Sequence, residues 1–125
     1  MKKVLILTDE SEPIKGIAAS IASALTGFSV AICEAGNFTG NDLFPVDLFF
    51  IGCETPKPAS FEYLDRFFKH INLAGRKCGI FSTNDSAIKY LNDLLEQSEV
   101  NAGKPLLLET QEKNILDNWL KDIIG

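Results

Sequence analysis

The first apolar run of the chain, KVLIL, leads directly into Thr8, Asp9, Glu10 and Ser11, with Glu12 and Pro13 next. Neighbouring carboxylates at the end of a strand can hold a divalent cation. The same acids at the start of a helix favour its positive end. The second reading is adopted, and no metal site is assigned. Cys53 closes another apolar run, and a thiol beside a helix N-terminus becomes reactive when its pKa falls. In apolar surroundings it is only a small hydrophobe, which is the reading preferred here. Cys33 and Cys78 fall inside expected strands and read as structural. His70, the single histidine, sits on an expected helix with no carboxylate, serine or cysteine partner visible. Lys57 reads as a solvated loop cation. These residues form no catalytic constellation.

The bulk numbers narrow the classes. A chain of 125 residues is expected to be one domain, 1–125. At that size it buries roughly two-thirds of its unfolded surface and needs no metal or disulfide. A net charge of −5 and a pI near 4.8 argue against nucleic acid and against an anionic membrane, since both require a basic patch. The opening MKKVLIL is too short and too soon followed by acids to act as a signal peptide. No run approaches the length of a membrane span. Three widely spaced cysteines without a C-x-x-C fit free thiols, so a cytoplasmic setting is expected.

The elements that must position these residues alternate. Lys3–Leu7 reads as a strand buried on both faces. Pro13 opens a helix striped by Ile14, Ile17, Ala18, Ile21, Ala22 and Leu25, which Gly27 ends. Ser29–Cys33 is a second strand. Glu34–Val46 has two glycines, two asparagines and a proline but no period, so the next helix is reduced to a loop or one turn, pinned by Phe38, Leu43 and Phe44. Asp47–Gly52 is a strand, Ser60–Leu73 a helix with apolar residues at 61, 64, 67, 68 and 71 that Gly75 stops, and Arg76–Ser82 a strand. Phe49, Phe50, Phe67, Phe68 and Phe81 read as core. Asp85–Gln97 is a helix capped by Thr83 or Asn84, with Ala87, Ile88, Leu91, Leu94 and Leu95 inward. Ser98–Lys104 is a turn and Pro105–Glu109 a fifth strand. Thr110 caps a last helix in which Ile115, Leu116, Trp119, Leu120 and Ile123 share a face. Such alternation predicts a three-layer α/β/α sandwich around a five-stranded parallel sheet of order 2-1-3-4-5. Ligands of such sheets bind off the carboxyl ends of the strands, at the switch between strands one and three. The candidate loops are therefore Thr8–Glu12, Cys53–Pro58 and Ser82–Asp85.

The stretch VDLFFIGCETPKPASFEYLDRFFKHINLAGRKCGIFSTN resembles the central block of the flavodoxin family, and ILDNWLKDIIG resembles its last helix. The resemblance implies the flavodoxin-like fold, FMN as a cofactor and an electron-transfer role, with Ser11, Thr55, Thr83 and Asn84 as the flavin contacts and a redox protein as partner. The family's phosphate loop reads S/T-x-T-G-x-T/S. Here the matching residues run from Asp9 to Ile14. Of the hydroxyls only Ser11 is present, Glu12 takes the glycine place, and Pro13 has no N–H. A carboxylate about 6 Å from the phosphate costs on the order of 1–3 kcal/mol. Each lost hydrogen bond to a charged group adds roughly 1.5–3 kcal/mol. Together they weaken FMN roughly a hundredfold or more. Neither of the other two loops carries an aromatic for the flavin ring. An FMN-free protein working through a regulatory or assembly partner is the alternative, and a small enzyme using the same crevice a third reading. The acid pair also resembles that of response-regulator receivers. There, however, strand three ends in the phosphorylated Asp and strand five is followed by Lys, where this chain has Gly52-Cys53 and Glu109-Thr110.

Overall fold

A computed structural model describes residues 2–108 and 113–124. The order is β1 (Lys2–Thr8), α1 (Glu12–Ala24), β2 (Phe28–Glu34), β3 (Leu48–Gly52), α2 (Glu62–Lys69), β4 (Lys77–Ser82), α3 (Asp85–Glu96), β5 (Asn101–Ala102), β6 (Leu106–Leu107) and α4 (Lys113–Ile124). Every strand pairing is parallel. The order β2-β1-β3-β4-β5 is the doubly wound one expected. Among the described residues no helix is long and apolar enough to cross a membrane.

The sheet carries a core on each face because alternate strand residues point to opposite sides. Val4, Ile6 and Phe50 pack under α1 and α4 with Ile14, Ile21 and Trp119. Leu5, Leu7, Phe49 and Ile51 pack under α2 and α3 with Leu64, Phe68 and Leu91. The glycines of the two central strands leave room for rings. A Cβ on Gly52 would lie 2.3 Å from the Phe81 ring, and one on Gly79 would lie 2.5 Å from Phe50 and 3.0 Å from Trp119. At the end of α1, Gly27 turns the chain at φ +86° two residues beyond the cap Leu25, conformational freedom that only glycine has cheaply.

The missing helix between β2 and β3 is replaced by two single 3₁₀ turns, Ala35–Asn37 and Gly40–Asp42. Phe38 and Leu43 pin this segment, but Phe44 does not: it is 61% exposed. Leu43 takes the inward place, and the Arg76 guanidinium donates to its carbonyl at 2.8 Å, fixing the turn with Phe44 outside. The helix expected from 60 to 73 is shorter at both ends. A 3₁₀ turn, Ala59–Phe61, precedes it, and it stops at Lys69 rather than at Gly75. Asn72 accepts the Ala74 N–H on its side chain, and the Leu73 N–H goes to the Ser98 carbonyl, so the backbone has partners outside the helix. Phe67 is half-buried rather than core.

The fifth strand position is shared by two dipeptides, β5 and β6, both paired to β4, so six segments replace the expected five and β5 lies inside the expected turn. Between them the Gly103 N–H bonds to the Cys78 carbonyl, while Pro105 has no donor to continue the ladder. The Lys104 carbonyl accepts instead from the Trp119 indole at 2.7 Å. In α4, Leu116, Trp119, Leu120 and Ile123 are buried, but Ile115 is 45% exposed. It lies one residue off their i, i+3, i+4, i+7 stripe. The cap assigned to Thr110 and the last strand residue Glu109 lie outside the described residues.

Candidate functional site

Thr8 is level with Gly52 on one side and Glu34 on the other, and Gly52 is level with Phe81. The carboxyl ends of β1, β3 and β4 thus bring the three candidate loops side by side. The first two are joined by Asp9, whose side chain is only 6% exposed. One carboxylate oxygen accepts the Ser11 N–H at 3.0 Å and the Ser11 hydroxyl at 2.7 Å. The other accepts the Glu54 N–H at 2.7 Å. Charge-assisted bonds to backbone N–H are strong ones. Ser11 stands at the N-cap of α1, yet its hydroxyl makes no cap bond, since it turns back to Asp9.

The third loop is tied to the second. The Asn84 amide nitrogen donates to the Glu54 carbonyl, and its oxygen accepts the Ala87 N–H at 2.9 Å, capping α3. Asn84, rather than Thr83, is therefore the cap. Buried Ser82 donates to the Cys53 carbonyl at 2.6 Å and accepts the Asn84 N–H at 3.2 Å. The backbone of Glu54 is held on both sides, by Asp9 through its N–H and by Asn84 through its C=O. Of the four residues assigned to flavin contact, Ser11 and Asn84 meet in this network with their polar groups engaged inside the protein. Thr55 is exposed and Thr83 half-buried, and both stand outside it.

The remaining reactive types are quiet. Cys53 is fully buried, and burial first, then the Asp9 carboxylate, pushes its thiol up to about 12. A thiol so placed is protonated at neutral pH and a poor nucleophile. Burial also pushes Cys78 well up, and raises half-buried Cys33 together with Asp42 and Glu34. His70 is exposed. Among the described residues no group of three or more His, Cys, Asp or Glu could hold a metal ion.

The donor set does not fit a flavin phosphate. The Ser11 N–H and hydroxyl, which the loop would offer, bind a carboxylate of the same chain. Pro13 at the start of α1 has no N–H, and exposed Glu10 and Glu12 flank the place. In the sequence Asp9 stands out as half of an acid pair, at a strand end and a helix start. The Asp-x-Ser spacing was a signal for its bond to Ser11, since Asp side chains bond backbone two residues on. Nothing local signalled Glu54, which is 45 residues away.

No protein-family model and no curated protein matches the chain. Solved structures do. A short-chain flavodoxin associated with a PDU bacterial microcompartment superposes with a TM-score of 0.85 at 14% identity, covering 99% of this chain and 97% of its own. Flavodoxin 2 from Bacillus cereus, in its oxidised form, gives 0.80 at 20% identity, with 98% and 97% covered. Flavodoxin from Fusobacterium nucleatum, bound to flavin mononucleotide, gives 0.80 at 13% identity, with 99% and 98% covered. The fold is flavodoxin-like.

Proposed function

We propose that this chain is a flavodoxin-fold protein that acts through protein contacts and has given up FMN. The observation that carries this reading is the Asp9 carboxylate, which takes the Ser11 N–H, the Ser11 hydroxyl and the Glu54 N–H for itself. A phosphate dianion entering there would have to displace a carboxylate, break three bonds and sit beside Glu10 and Glu12. The partner is a regulatory or assembly protein with a basic face, because the rim of the carboxyl pole carries Glu10, Glu12, Glu34, Glu54 and Asp85 against Lys15 and Lys57. Lys15 is itself paired to Glu34 at 2.6 Å.

A weakened FMN electron carrier is the second reading, favoured by the likeness to an FMN-bound flavodoxin over 99% of the chain. Flavin fluorescence separates the two. Titrating the purified protein into FMN is expected to give no saturable quenching at high micromolar protein. Saturable quenching in the low micromolar range would overturn the proposal and restore the carrier. The Glu12→Gly, Glu10→Thr variant adds to the comparison. It is expected to remain silent while Asp9 holds the loop.

A further inference from the structure

The pole opposite the candidate site, where the strands begin, carries a cavity of about 490 Å³. That lies within the roughly 300–1,000 Å³ usual for small-molecule sites. Its floor is apolar: Val4, Leu48 and Phe28 line it, with Ile124 from the end of α4 as a wall. Among the described residues its charge comes from three lysines, Lys2, Lys3 and Lys77, against one carboxylate, Asp47. The sheet register puts two of the lysines on one face. Val4 is level with Leu48 and Leu48 with Lys77, while Lys2 lies two residues before Val4 and level with Phe28. Paired residues, and residues two apart on a strand, share a face. Lys2 and Lys77 therefore flank an apolar strip where the sheet runs past the end of α4.

The ammoniums are not used up by the fold. Lys77 donates to the Ile124 carbonyl at 3.2 Å, where it offsets the negative end of α4. Lys2 and Lys3 have no ion pair or hydrogen bond among the described residues. A cationic, apolar-floored cavity is out of keeping with a chain of net charge −5. We propose that the amino pole binds a small amphipathic carboxylate, an acid carrying an apolar chain or ring. The tail would lie against half-buried Phe28 and exposed Ile124, over the buried Val4 and Leu48, and the carboxylate would lie between Lys2 and Lys77. Charge complementarity selects the head group and the apolar floor selects the tail, so neither half alone is a good ligand.

The test uses the whole chain, ¹⁵N-labelled, titrated with octanoate and followed by amide shifts. Expected are saturable shifts around residues 2–4, 28, 45–48, 75–77 and 124, the segments that line the cavity. Acetate and octanol at the same concentrations should not reproduce them. Lys2→Met with Lys77→Met keeps the apolar stems and should weaken octanoate at least tenfold, about 1.4 kcal/mol. If the double variant loosens the end of α4, Lys2→Met alone, at an exposed and unpaired position, should still lower the affinity several-fold. Four results would each overturn the proposal: shifts that do not saturate, octanol binding as well as octanoate, affinity unchanged in both variants, or pole shifts that follow protein concentration without octanoate. The last would show a second copy filling the cavity.

Discussion

The Thr8 hydroxyl is fully buried at the end of β1 with no hydrogen-bond partner among the described residues. An unmade buried bond costs about 1–3 kcal/mol. Thr8→Val removes the hydroxyl and keeps the shape. It should raise stability by about 1 kcal/mol, or roughly 3–5 °C in a thermal melt. A fall in melting temperature would mean that the hydroxyl is satisfied after all. Thr8 and Asp9 adjoin in sequence and both are buried, yet one is unpaired and the other makes three bonds. Residue types and local spacing reveal the acids and the hydroxyls of this site. Which of them face one another is set by β3, whose loop brings Glu54 to Asp9. That is why the residues of the first loop were legible and the bond from Asp9 across to Glu54 was not.

Elements were more legible than contacts, for a physical reason. Uninterrupted apolar runs made β1 and β3 plain, and the stripes of α1 and α3 followed their 3.6-residue period. The errors fell where a neighbouring element decided the outcome. The end of α2 depends on Ser98, the exposure of Phe44 on Arg76, and the split of the fifth strand on Cys78 and Trp119. Gly79 shows the same dependence from the other side. Inside β4 it looks like an ordinary weak strand residue, but the rings of Phe50 and Trp119 close over its missing side chain. Gly79→Ala should cost about 1–3 kcal/mol, as overpacking does. It should appear as a lower urea midpoint read from the single tryptophan. An unchanged midpoint would mean that both rings can retreat freely.

For the whole molecule, buried ionisable groups set how it meets alkali. Cys53 is held near 12, Cys78 is raised well above its ordinary value, and Tyr90 is raised by burial first and by Asp65 next. A raised folded pKa favours the protonated form. Its stabilising effect is therefore complete below the unfolded pKa of 9.0 for the cysteines and is lost as pH rises towards the folded value. The urea midpoint should hold steady from pH 6 to 8 and fall above 9, with Cys53 alone costing about 1 kcal/mol between pH 8 and 10. Cys53→Ala should flatten that fall, and an equally steep fall in the variant would place the effect elsewhere. The sheet also ends differently on its two sides. One side stops in two dipeptides, β5 and β6, too short to template anything. The other is β2, seven residues without a break, with Ile32 47% exposed and its only charge at Glu34. Continuous, weakly charged edges are where chains add to one another as fibrils begin. Heating a concentrated solution is therefore expected to recruit β2 first, and Ile32→Lys should delay the rise in light scattering; an unchanged onset would place the association elsewhere.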